Sequence, residues 1–99
     1  MENRPVAQDV ETVVTSYNQG KMLLEAVRSL GGQTLLPKRV IVVDDGSTDA
    51  ETLRLLADME AVPPLPVPRV VVRQPNRGVA AARNAGIGRT QSPMVLVLD

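Results

Sequence analysis

The sequence predicts an α/β fold: a mostly parallel four-stranded sheet with flanking helices, in the order β-α-β-α-β-α-β. Three observations predict it. Short runs rich in β-branched residues recur at Val13–Val14, Val40–Val43, Val70–Val72 and Met94–Leu98. Stretches with apolar residues at helical spacing separate them, and strands alternating with helices imply parallel pairing through crossover connections. The run Val40, Ile41, Val42, Val43 also lacks polar alternation, as suits a strand covered on both faces.

The elements follow in order. Residues 1–10 read as a flexible N-terminal segment and residues 11–99 as the folded unit. Val13 and Val14 open a short strand that leaves through Thr15, Ser16, Tyr17, Asn18, Gln19 and Gly20, a polar exit with turn character. Leu23, Ala26, Val27 and Leu30 then recur at helical spacing, predicting an amphipathic helix from about Gly20 to Leu30 that Gly31 and Gly32 stop. Pro37 precedes the second strand. Gly46 permits a turn after it, and Thr48 with Glu51 three residues on fits a capping box for a second helix, whose face is Leu53, Leu56 and Met59.

That helix cannot continue through Pro63–Pro68, which reads as an extended surface connection, serving as a rigid linker or as a segment for a proline-binding partner. A third buried run, Val70–Val72, leads to Gln74, Pro75, Asn76, Arg77 and Gly78. A small-residue helix beginning at Val79 follows, whose alanines and glycines suit close packing on the sheet. Met94–Leu98 forms the fourth strand. A sheet that ends on a strand, with no helix after it, looks like the front portion of a larger domain.

Composition narrows the chemistry. Among 99 residues, 11 are basic and 11 acidic, so no general attraction to nucleic acid or an anionic membrane is expected. With no cysteine and no histidine, disulfides, thiolate catalysis, imidazole bases and thiolate zinc sites are excluded. Tyr17 is the only aromatic residue, which argues against a stacking platform for single-stranded nucleic acid. The first residues lack the apolar core of a signal peptide, and no apolar run is long enough to span a bilayer, so a soluble, cytoplasmic chain is expected.

Three strand ends carry polar groups to one edge if the strands are parallel: Thr15 to Tyr17, Asp44 with Asp45, and Asp99. Open α/β sheets bind ligands outside the carboxyl ends of their strands. Asp, Gly and Ser are also ordinary turn formers, so Asp-Asp-Gly-Ser alone carries a purely structural reading as well. The turn after the first strand has no G-x-G-x-x-G, and no G-x-x-x-x-G-K-[ST] occurs, which disfavours dinucleotide oxidoreductases and P-loop enzymes.

The blocks V-V-T-S-Y-N, V-I-V-V-D-D-G-S-T-D, N-R-G-V-A-A-A-R-N-A-G-I and V-L-V-L-D, in this order, resemble the N-terminal half of an inverting family 2 glycosyltransferase with the GT-A fold, a Rossmann-like architecture. The resemblance covers about Glu11 to Asp99 and implies a nucleoside-diphosphate-sugar donor, usually a UDP-sugar, with Mg²⁺ or Mn²⁺. Thr15 and Tyr17 then match positions flanking the base, with Tyr17 on the uracil face. Asp45 matches the carboxylate that accepts a hydrogen bond from the base N–H. Asp44 either shares that role or ties down the turn. Asn76 and Gly78 match the loop to the diphosphate, Arg83 a basic position near it, and Asp99 the first carboxylate of a metal-binding Asp-X-Asp-type motif. A hard cation there takes oxygen ligands and neutralises the leaving group.

The resemblance further implies that the rest of that motif, the hydroxyl acceptor's site and the general base lie beyond Asp99. The chain by itself is therefore expected to transfer little or no sugar. Two rivals stand beside this reading. One is a non-catalytic module that binds nucleotide or a protein, with an edge-strand homodimer as one form of it. The other is a sugar-nucleotide pyrophosphorylase, against which the absence of a glycine-rich, basic first turn weighs.

Overall fold

A computed structural model describes residues 4–61 and 67–98. Its elements are β1 (Val6–Ser16), α1 (Gly20–Gly31), β2 (Leu36–Asp45), α2 (Ala50–Ala61), β3 (Arg69–Gln74), α3 (Val79–Ile87) and β4 (Met94–Leu98), the predicted order. The strands make one four-stranded sheet, β3-β2-β1-β4, in which every neighbouring pair is parallel, a Rossmann-like α/β arrangement. The chain steps from β1 through β2 to β3 in one direction and then returns past β1 to place β4 on its other side. The strand order therefore reverses at β1, the kind of position at which such sheets form ligand crevices.

The sheet is covered on both faces. Val14, Val40 and Val42 pack with Leu23, Val27 and Leu30 of α1 and with Leu56 and Met59 of α2. Val13, Ile41 and Val43 point the other way and pack with Ala82 of α3. The unalternating run in β2 thus feeds two cores, each taking every second side chain. Both edge strands are less covered: β3 is half-buried along most of its length, and Met94 and Leu96 of β4 are exposed. The expectation of a third buried run is corrected accordingly: Val70, Val71 and Val72 are half-buried.

Glycine sets how closely α3 sits. A Cβ at Gly86 would collide with Val13 Cγ1 and lie 3.1 Å from Val43 Cγ2, so the helix lies nearly on the sheet backbone. Beneath it, Glu11 of β1 is buried and forms an ion pair with Arg39 of β2 at 2.9 Å. Its other oxygen accepts hydrogen bonds from Gln91 N–H (2.8 Å) and the Ser92 hydroxyl (2.7 Å), fastening the connection between α3 and β4. Burial works to raise the Glu11 pKa, but these bonds and Arg39 outweigh it and hold the carboxyl at about 2, against 4.5 ordinarily.

Three boundaries differ from expectation. β1 begins at Val6, so residues 6–10 belong to the sheet; Val6 and Ala7 pair with Leu36 and Pro37 before a register shift restores pairing at Glu11. Pro37 correspondingly lies inside β2, near its start, where a missing N–H is tolerated. The cap of α2 is Asp49, not Thr48. Asp49 Oδ2 accepts from Thr52 N–H at 3.0 Å and from the Thr52 hydroxyl at 2.9 Å, whereas Thr48 N–H is taken by Asn18 from another loop.

The expected extended connection lies largely outside the described residues. Its end is anchored: Val67 is buried in the core, and Pro68 C=O accepts from Val40 N–H at 3.0 Å. Among the described residues, no helix is long and apolar enough to cross a membrane.

Candidate functional site

Register brings the strand ends level. Ser16, the last residue of β1, pairs with Asp44; Asp45, the last of β2, pairs with Gln74, the last of β3; and Leu98 of β4 pairs with Val14. Asp44 continues the face of Val40 and Val42, and Asp45 the face of Ile41 and Val43. The adjacent carboxylates consequently go to opposite sides of the sheet.

Asp44 is absorbed by its own turn. Its Oδ2 accepts from Ser47 N–H at 2.9 Å, its Oδ1 from the Ser47 hydroxyl, and its side chain is buried. Of the two roles open to it in the sequence, the geometry displays the structural one. Gly46 completes the turn at φ +77°, where a Cβ would lie 2.5 Å from Asn76 N. The loops after β2 and β3 therefore touch, and only glycine permits it.

Asp45 joins that second loop to the sheet. Its Oδ1 accepts from Gln74 Nε2 and Arg77 N–H, and its Oδ2 from Gly78 N–H, each at 2.9 Å. Gly78, at φ +94°, is the N-cap of α3, so the carboxylate stands at the positive end of that helix. The Gln74 bond, followed by the Arg77 bond, holds the Asp45 carboxyl below the usual carboxylate value against the opposing effect of burial. With one bond on Oδ2, acceptor capacity remains for a ligand N–H.

Around Asp45 lies a cleft of about 320 Å³. Thr15, Ser16, Tyr17 and Gln19 form one wall, while Asn76 and Gly78 with Val79 and Ala82 of α3 form the other. Tyr17 is 46 % exposed, its ring available to a planar ligand. Ser16 Oγ is buried without a protein partner, a state that costs about 1–3 kcal/mol and that folding rarely leaves in place for nothing.

Of the residues singled out in the sequence, Thr15, Tyr17, Asp45, Asn76 and Gly78 come together at this cleft. Arg83 is exposed on α3, one position beyond Ala82, and is not among the lining residues. Asp99 lies outside the described residues. Gln19 was legible only as part of a polar exit, and Gln74, the strongest influence on Asp45, only as a loop residue. Among the described residues no group of three His, Cys, Asp or Glu side chains converges. Asp44 and Asp45 both have their carboxylate oxygens bonded to protein donors.

The sheet is parallel, its order reverses at β1, and the cleft beside that strand's end is lined by an aromatic ring, a carboxylate and a helix N-terminus: an α/β domain with a candidate ligand cleft at its strand ends. The chain matches the model of Glycosyl transferase family 2 over residues 12–99, and it belongs to that family. It is 41 % identical over 91 residues to the succinoglycan biosynthesis protein ExoO of Rhizobium meliloti, covering 92 % of this chain and 25 % of ExoO. It is 30 % identical over 90 residues to the uncharacterized glycosyltransferase YwdF of Bacillus subtilis, covering 91 % of this chain and 31 % of YwdF. The chondroitin synthase of Escherichia coli is 35 % identical over 79 residues, covering 79 % of this chain and 11 % of the synthase. The chain thus spans a third or less of the length of these relatives.

Proposed function

We propose that this chain is the donor-binding part of a glycosyltransferase that moves a sugar from a nucleoside-diphosphate sugar, a UDP-sugar first among them, to a hydroxyl acceptor with inversion. The observation that carries the reading is that Tyr17, just after β1, and Asp45, at the end of β2, line one cleft. Tyr17 offers a face for the base, and Asp45 offers an acceptor for its N–H. The start of α3 and the Asn76–Gly78 loop favour the negative charge of the diphosphate.

In this reading Arg83 adds positive charge beside the leaving group, and Asp99 contributes a ligand to Mg²⁺ or Mn²⁺ together with diphosphate oxygens. The cation's chemistry is Lewis-acid stabilisation of the departing diphosphate. The general base is neither Asp44 nor Asp45, whose carboxylates are bonded into loops. This chain alone is accordingly expected to bind donor without turning it over.

Thermal unfolding with and without UDP and Mn²⁺ tests the proposal. At ligand a hundredfold above Kd, binding stabilises the folded state by about 2.7 kcal/mol. The wild type should show that rise in Tm, and Asp45→Asn and Tyr17→Ala should lose most of it while still unfolding cooperatively. A wild-type Tm indifferent to UDP and to other nucleoside diphosphates sinks the reading.

A further inference from the structure

Asn18 and Gln19 connect Tyr17 to the start of α1, and the Asn18 backbone adopts φ +51°, the only positive φ at a non-glycine residue among those described. Its side chain does not face the cleft's lining. Instead Asn18 Oδ1 accepts from Thr48 N–H at 2.8 Å and from Asp49 N–H at 2.9 Å, and Nδ2 lies 3.4 Å from Thr48 Oγ1. Its backbone N–H donates to Ser47 Oγ at 2.8 Å, and that hydroxyl in turn donates to Asp44. Two residues on, Gly20 N–H donates to Thr52 Oγ1 at 3.0 Å, and that hydroxyl donates to the cap Asp49.

We propose that Asn18 is a positioning residue for the donor site: its left-handed backbone and side-chain amide lock the loop after β1 onto the turn after β2, fixing the Tyr17 ring relative to Asp45. The proposal rests on the reading of Tyr17 and Asp45 as contacts to the nucleotide. The chemistry selects asparagine. Among residues with side chains, Asn tolerates a left-handed backbone best, and its carbonyl accepts two N–H groups. Glycine would keep the backbone and lose the acceptor. Aspartate would keep the acceptor. The loop after β1 has few other restraints, since Tyr17 is nearly half exposed and α1 has no side-chain cap of its own.

Tyr17 is the only aromatic residue, so tyrosine emission reports this one ring. In ligand-free protein, Asn18→Gly should raise acrylamide quenching towards that of an unstructured peptide and lower the anisotropy, whereas Asn18→Asp should stay near wild type. Ser47→Ala, which removes the acceptor of the Asn18 N–H together with the hydroxyl's bond to Asp44 but leaves the Asn18 side-chain bonds in place, should move both readouts the same way by less. Circular dichroism and Tm on the same samples separate a loosened ring from a loosened fold. A merely structural Asn18 would lower Tm without altering quenching well below the transition.

In UDP titrations, Asn18→Gly should weaken binding about tenfold, the scale of losing one or two hydrogen bonds, and should weaken it no further in a Tyr17→Ala background. Unchanged quenching in both Asn18→Gly and Ser47→Ala, or losses with Tyr17→Ala that simply multiply, overturns the proposal. If the wild type binds no UDP, the functional reading fails while the emission measurements still decide whether Asn18 positions the ring.

Discussion

Two buried carboxylates stand on the α3 side of the same sheet and meet opposite fates. Glu11, in the middle of β1, is opposed by the Arg39 guanidinium and sealed by Gln91 and Ser92. Asp45, at the end of β2, is held by neutral N–H donors and borders a cleft. Both titrate below their ordinary values, so a depressed pKa by itself does not tell structure from function. The partners do. A counter-charge closes Glu11 off, whereas amide donors from Gln74 and the start of α3 hold the Asp45 carboxylate at the mouth of a site.

The sharpest break of this comparison is at Glu11. Glu11→Gln leaves the Arg39 cation without its partner in a partly buried place, and breaking a buried pair costs about 3–5 kcal/mol. Chemical denaturation should show that loss. The sign of the pH dependence follows from the depressed pKa: the Glu11 contribution is fully present above about 4.5 and disappears as pH falls towards about 2. Between those values wild-type Tm should fall more steeply than that of Glu11→Gln. Any Glu11→Gln protein that remains folded at neutral pH should bind UDP as the wild type does; impaired binding would mean that the two carboxylates are not independent.

Gly86 lies on the face of α3 that meets Val13 and Val43, and its substitution is the next largest effect. Gly86→Ala drives a methyl into Val13 and Val43, and overpacking of this kind costs about 1–3 kcal/mol. Unlike Glu11→Gln it displaces the helix whose first turn Asp45 holds, so Tm and UDP affinity should fall together. A variant destabilised at full affinity would show that the loop of residues 75–78, not the body of α3, sets the cleft.

How much of this was legible depended on whether the signal was local. Val40–Val43 declared a doubly covered strand because each residue independently demanded burial, and the small residues of α3 declared close packing. The Glu11–Arg39 pair was invisible, since nothing local links residues on neighbouring strands. The start of β1 was missed because Val6 gains its strand partner only through Leu36, with polar Gln8 and Asp9 between it and the apolar run. The capping box at Thr48 fitted the local pattern and lost to a distant competitor, the Asn18 carbonyl. At the cleft, the tips Tyr17 and Asp45 were readable as strand ends; the groups that hold them, Asn18 and Gln74, were not, because their roles exist only once two loops meet.

Glu51 supplies the control for the whole contrast. It belongs to the first turn of α2 and faces Lys21 across 4.0 Å, with the two side chains 44 % and 82 % exposed. Water solvates both charges whether or not they meet, so the pair gains little from proximity, and exposed pairs of this geometry contribute roughly 0–1 kcal/mol. Lys21→Ala should therefore shift Tm least of all, should leave UDP affinity unchanged, and its small effect should vanish in high salt. A loss comparable with that of Glu11→Gln would mean that charge count, not desolvation, governs carboxylates in this fold, and the distinction drawn between Glu11 and Asp45 would lose its physical basis.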